Sequence, residues 1–301
     1  MELAKLDAHR HTAMTRSGEI SYLDIGTGPV ALFVHGIATN AYLWRNVIGE
    51  VAGERRCIAL DLPMHGRSPV ADGQDLSVAA LAQVLEEFCD ALGLTGLDLV
   101  ANDTGGAVAQ IFAARHPERL ATFTLTNCDT CDNLPPEAFK PMVALAASGE
   151  LAPSAVALFA DDPAISAQFA FGTAYENIGR MDPAVLRSYL EPCLGSMERA
   201  RHFERMLLTL DAFDLVQVTP LLKELMVPTL VVWGTGDEFF DVSWAYWLRD
   251  TIPATADVIT VDGARLFFPE ERPMDLVPHL RQFWSAPAPK ARAAGGASHR
   301  A

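Results

Sequence analysis

Long apolar runs are missing from this sequence. It has no stretch of about 18 apolar residues, so no bilayer-spanning segment is expected. The opening, MELAKLDAHRHTAMTRSG, also lacks an apolar h-region, and no signal peptide is expected. Positive charge is scarce. Lys and Arg number 23 against 38 Asp and Glu, a net −15, and so acidic a surface repels phosphate and argues against nucleic-acid or anionic-membrane partners. Cysteine is sparse as well: five in 301 residues make no disulfide framework, so a reduced, cytoplasmic protein is expected. Cys57 and Cys89 sit in apolar runs as small core residues. Cys128-x-x-Cys131 closes a strand instead of opening a helix, and no second Cys/His pair lies nearby. A structural role is therefore expected for the pair, with no metal and no cofactor. What is plentiful is apolar residues, half the chain, enough for a sizeable core.

Short apolar runs alternate with amphipathic stretches, the pattern of a parallel sheet covered by helices. Val30–Val34, Arg56–Leu60, Leu97–Val100 and Phe123–Thr126 read as strands, and Ser77–Leu92 and Ala107–Ala114 as helices. From Asn133 to Lys223 the period is helical, the composition is rich in Ala and Leu, and Pro135, Pro136, Pro153, Pro163, Pro183 and Pro192 cut the segment. Strands resume at Val227–Trp233 and Val258–Val261, and Met274–Trp284 reads as a closing helix. The expected fold is α/β, a doubly wound, mostly parallel sheet with an inserted helical cap. The core occupies 18–132 and 224–284, the cap 133–223, and a disordered tail 285–301. Ligands of such sheets bind at the carboxyl ends of the strands.

Leu99-Val100-Ala101-Asn102-Asp103-Thr104-Gly105-Gly106 runs a strand straight into a helix, with small residues around Asp103. Small neighbours permit the tight turn of a nucleophile elbow, which lifts one side chain above the sheet edge. Asp103 is either that raised group or a plain N-cap of the following helix. His35-Gly36 follows an apolar strand, where a backbone N–H could face the elbow and stabilise an oxyanion or leaving group. Asp61-Leu62-Pro63-Met64-His65-Gly66-Arg67-Ser68 and Asp237, after Gly234-Thr235-Gly236, follow two further strands.

Together these landmarks resemble the α/β-hydrolase fold, from about Gly18 to Trp284. Asp at the elbow makes the chain similar to the haloalkane dehalogenase and epoxide hydrolase branch, as does His35-Gly36-Ile37-Ala38 through Tyr42-Leu43-Trp44-Arg45-Asn46. The resemblance implies that Asp103 attacks a carbon and forms an ester, which water activated by a His then cleaves. It implies an acid behind that His. Asp237 is the stronger candidate and Asp129 the other; as plain structure, both are turn residues.

The family's Gly-x-Gly-His-Phe appears here as Gly263-Ala264-Arg265-Leu266-Phe267, so Leu266 stands in the place of the His. Leu neither takes nor gives a proton. His65 and His35 belong to loops of the fold, and His279 is too far along the last helix. His202, in the cap segment, is a candidate for hanging over the site. Where the resemblance implies halide donors stand Thr104, with one hydroxyl, and Ile37, with no side-chain donor. Epoxide hydrolases use cap tyrosines as acids, which makes Tyr175 and Tyr189 candidates. Phe239, Phe240, Trp244, Tyr246 and Trp247 line an apolar pocket or pack helix to sheet. The expected function is hydrolysis of a hydrophobic small molecule through Asp103. The alternatives are a lyase, isomerase or cyclase using Asp103 as acid or base with Arg265 or a nearby carboxylate, and a ligand-binding protein without catalysis.

Overall fold

The structure is a computed structural model and describes residues 3–285. The tail expected to be disordered lies, from 286 onward, outside the described residues. Eight strands form one sheet: β1 Arg10–Thr15, β2 Gly18–Ile25, β3 Val30–Val34, β4 Arg56–Leu60, β5 Leu97–Asp103, β6 Leu120–Cys128, β7 Thr229–Gly234 and β8 Ile259–Val261. Their order is β1-β2-β4-β3-β5-β6-β7-β8. β1–β2 and β2–β4 pair antiparallel, and every later pair is parallel.

The sheet therefore begins at Arg10, ahead of Gly18. Neither β1 nor β2 carries a continuous apolar run. In β1 only Ala13 is buried, as suits an edge strand open to water on one side. The inner strands are covered on both faces and are legible as apolar runs; all seven residues of β5 are buried.

Strand order reverses between β3 and β5, where Val34 pairs with Ala101. A crevice opens at such a reversal because the connections leave on opposite sides. The chain after β3, His35-Gly36-Ile37, and the end of β5, Asn102-Asp103, border it.

Helix Val78–Leu92 begins where Ser77 accepts from the Ala80 N–H at 3.3 Å and ends at Gly93, whose φ of +63° is easily borne without a Cβ. Helix Thr104–Arg115 is buried all round from Thr104 to Ala113, between Val78–Leu92 and Phe213–Leu222. Helices Lys140–Ser148, Leu151–Asp161, Pro163–Phe171, Pro183–Leu194 and Met197–Leu207 pack mainly on one another. Pro163 and Pro183 start helices there, capped by Asp162 and Asp182, since the first turn needs no N–H from proline. Pro192 lies inside its helix instead of cutting it. The last helix of the expected insertion, Phe213–Leu222, packs back against Thr104–Arg115. The closing helix is Val277–Ser285, after a short turn at Pro273–Asp275. Among the described residues no single helix is long and apolar enough to cross a membrane.

Candidate active site

β5 turns into helix Thr104–Arg115 at Asp103, whose φ of 58° and ψ of −140° are strained for a residue with a Cβ. The close approach behind it needs small residues. A Cβ on Gly105 would lie 2.2 Å from the His35 carbonyl oxygen, and one on Gly36 would lie 2.2 Å from Asp103 Oδ2. The Asp103 side chain does not reach the second or third N–H of its helix as an N-cap does, so the plain N-cap reading fails. Instead the Ile37 N–H donates to Oδ2 at 2.9 Å, and the Thr104 N–H also bonds the carboxyl. Ile37, unhelpful as a side chain, thus contributes its backbone. Burial raises the Asp103 pKa to about 7 against the pull of these two N–H groups, and Asp237 adds to the rise.

Asp103 faces a cavity of about 320 Å³ under the helical section, lined almost wholly by carbon. Ile37, Thr104, Asp129, Leu266, Phe239 and Phe240 line it too. Trp244, Tyr246 and Trp247 do not; both indoles pack against the core, as ordinary helix packing requires.

Of the two candidate acids, Asp129 lies on the cavity and Asp237 does not. Asp129 Oδ2 accepts from the Thr104 hydroxyl at 2.7 Å, so that hydroxyl is engaged and not free for a leaving group. Asp129 Oδ1 is buried without a hydrogen-bond partner among the described residues. Burial first, then the Asp103 charge, push its pKa well above the usual carboxylate range. Asp237 is held behind: Asn127 Nδ2 donates to its Oδ2 at 2.7 Å and the Phe239 N–H to its Oδ1 at 2.8 Å. Burial lifts its pKa to about 7 as well.

No histidine lines this cavity among the described residues. Leu266 does, with Asn102 Nδ2 holding its carbonyl at 3.0 Å. His35 donates through Nδ1 to the Gly36 carbonyl and accepts the Leu62 N–H at Nε2, and burial drops its pKa to about 4. His65 stacks edge-on against it, with its pKa depressed to about 3 by burial. His202 corrects the expectation: its Nε2 lies 3.4 Å from Asp72 Oδ1, beside a separate polar depression shared with Arg67 and Arg199.

Tyr175 and Tyr189 are corrected too. Both phenols are buried outside the cavity and donate to Glu270, at 2.5 and 2.9 Å, because a buried O–H requires an acceptor. Glu270 also pairs with Arg45. Nothing in the sequence distinguished it from its neighbour Glu271. Asn127, which braces Asp237 and β7, was detectable only as a polar residue inside an apolar strand. Arg265 pairs with Glu238 at 3.0 Å, away from the cavity. Cys128 is buried at the end of β6 and Cys131 half-buried, both free thiols. Among the described residues no group of three or more His, Cys, Asp or Glu is placed to hold a metal ion.

A strained strand-to-helix elbow at the switch point of a parallel sheet, raised into an enclosed apolar cavity, defines the α/β-hydrolase class of enzyme. The chain belongs to the alpha/beta hydrolase fold family, whose model matches residues 29–272. It is 42% identical over 102 residues to a haloalkane dehalogenase of Mesorhizobium japonicum, a match covering 34% of this chain and only 33% of that one. The chain is 27% identical over 286 residues to the cis-3-alkyl-4-alkyloxetan-2-one decarboxylase of Xanthomonas campestris, covering 88% of this chain and 91% of the other. With epoxide hydrolase 3 of Xenopus tropicalis it shares 25% over 290 residues, covering 91% and 77%.

Proposed function

We propose that the protein is a hydrolase of hydrophobic small molecules in which Asp103 attacks an electrophilic carbon and forms an alkyl ester. The observation that carries this reading is the strained Asp103 carboxyl, gripped by the Ile37 and Thr104 N–H groups and facing a carbon-lined cavity. The helices from Lys140 to Leu207 act as the cap that excludes water from it. In the ester, the same two N–H groups lie where the carbonyl oxygen becomes negative as water adds, so they serve as its oxyanion hole. With Leu266 in the place of an imidazole, ester cleavage lacks a factor of about 10²–10⁴. Ester formation then outruns ester cleavage, and the adduct accumulates.

Mass spectrometry of the protein incubated with terminal epoxides and with bromoalkanes tests this. The expected result is a mass increase equal to the substrate, or to the alkyl group, mapped to Asp103. No increase and no product, together with saturable binding, sinks the reading in favour of a ligand-binding protein.

A second reading is favoured by the near full-length similarity to the oxetanone decarboxylase. A lyase that opens a strained ring needs no water step, and so no imidazole. Olefin release from an oxetan-2-one, without adduct or diol, would select it.

A further inference from the structure

Asp129 has no part in the scheme above, yet it is the cavity's second carboxyl. Its oxygens differ. Oδ2 accepts the Thr104 hydroxyl at 2.7 Å, while Oδ1 is buried with no partner among the described residues. Thr104 follows Asp103 directly, so one residue joins the two carboxyls. The backbone that carries it is fixed as well, because Gln110 Nε2 donates to the Asp129 main-chain carbonyl at 2.8 Å. The ionisable groups around it are Asp103, Asp237 and the Cys128 thiol, none of them cationic. A buried carboxylate with an empty oxygen and no cation is costly; a neutral acid with its proton on that oxygen costs far less.

Building on the Asp103 reading, we propose that Asp129 is the catalytic acid, which gives the Oδ1 proton to the oxygen that leaves when Asp103 attacks, and that the substrates are apolar epoxides. The Asp103 carboxylate bonds to an epoxide carbon and the ring C–O bond breaks. The electron pair stays on oxygen, which takes the Asp129 proton. This leaves a hydroxyalkyl ester on Asp103 and a carboxylate at Asp129. Water that cleaves the ester yields the diol, and its remaining proton returns to Asp129. The role left vacant by Tyr175 and Tyr189, both turned to Glu270, is thereby filled from the sheet side. A halide departs without taking a proton, and at the two positions where the resemblance implies halide donors the Ile37 side chain offers none and the Thr104 hydroxyl is engaged. Alkyl halides are therefore poor substrates, and their reaction requires no proton from Asp129.

The test compares single-turnover labelling of Asp103 by 1,2-epoxyhexane and by 1-bromohexane, in the native protein and in Asp129→Asn. Asn keeps an acceptor for Thr104 but has no acidic proton. Labelling by the epoxide is expected to fall by about 10²-fold or more, and labelling by the bromide to stay within about threefold. Equal loss with both probes overturns the proposal, because Asp129 would then only position Asp103; no loss with either overturns it too. Retained bromide labelling also certifies that the variant is folded. If the variant does not fold, the native protein still decides. The ratio of epoxide to bromide rates cancels the ionisation of Asp103, and it is expected to fall toward alkaline pH; a flat ratio overturns the proposal. Absence of any label on native Asp103 sinks instead the reading of Asp103 as nucleophile, and with it the role given to Asp129.

Discussion

The Ile37 N–H points at Asp103 Oδ2 from 2.9 Å, although the two residues are far apart in the chain. Parallel pairing of β3 with β5 sets this contact, because it brings the chain leaving Val34 alongside the chain leaving Ala101. Asp103 sits in a left-handed backbone conformation that costs about 1–3 kcal/mol, and its carboxyl is held by N–H groups from both neighbouring segments. The orientation is preset before any substrate arrives, which is what a carboxylate needs in order to attack along one line.

Asp103→Asn is expected to abolish ester formation and to stabilise the fold. The folded pKa of about 7 lies above the roughly 3.9 of a free aspartic acid, so the native state holds a proton that the unfolded chain releases between those values. Stability from this group is intact below about pH 4, falls as pH rises toward 7 and stays low above it. Asn escapes that loss. Thermal melts should therefore show a larger gain for the variant at pH 8 than at pH 5, by about 1–3 kcal/mol. Equal gains would mean that Asp103 is not buried as described.

Gly36→Ala places a methyl 2.2 Å from Asp103 Oδ2, and the elbow or the 36–37 turn must shift. Single-turnover labelling of Asp103 should drop about 10²-fold. Unchanged labelling would show that the carboxyl has freedom the packing denies it.

Leu266→His puts an imidazole on the cavity wall that Asp103 faces. Ester cleavage is expected to accelerate about 10²-fold or more, turning a stalled adduct into multiple turnovers. Should product release stay at the parental rate, position 266 does not reach the ester.

Tyr175→Phe removes a hydrogen bond to Glu270 and nothing from the cavity. Labelling should stay within about threefold and stability fall by about 1 kcal/mol. Glu270→Ala is the harsher change, since it strands the buried Arg45 guanidinium, and denaturant melts should show a loss of about 3–5 kcal/mol. If Tyr175→Phe halts labelling while the melt is unmoved, the phenol is the acid and Asp129 is not.

Much of the architecture could be read ahead of the coordinates where burial was two-sided. Val30–Val34 and Arg56–Leu60 are found at the residues where their apolar runs lie, and Ser77 and Gly93 bound their helix as their chemistry requires. The β1–β2 hairpin was hidden because an edge strand with one buried side chain has no apolar run. Asp103 was visible because its small neighbours are local in sequence. Its partners were not, because a side chain's direction is set by packing between distant segments. Tyr175 and Tyr189 were candidate acids through the resemblance to epoxide hydrolases, and the buried carboxyl of Glu270 turned both away. The same limit hid the contrast between Asp129, on the cavity, and Asp237, braced behind it by Asn127.

Glu270 gathers Arg45 from below and Tyr175 and Tyr189 from above, and its own carbonyl accepts from Asn46 at 2.8 Å. The upper helices are thus fastened to the sheet domain at this carboxyl, as they are by Asn40 Nδ2 donating to the Ser188 carbonyl at 3.0 Å. Phe169 is part of the cavity lining and yet 65% exposed, so the cavity meets solvent there. Glu270 lies outside the cavity wall yet fixes two residues of its roof, so a change at this carboxyl is transmitted to the oily chamber without altering any residue that lines it.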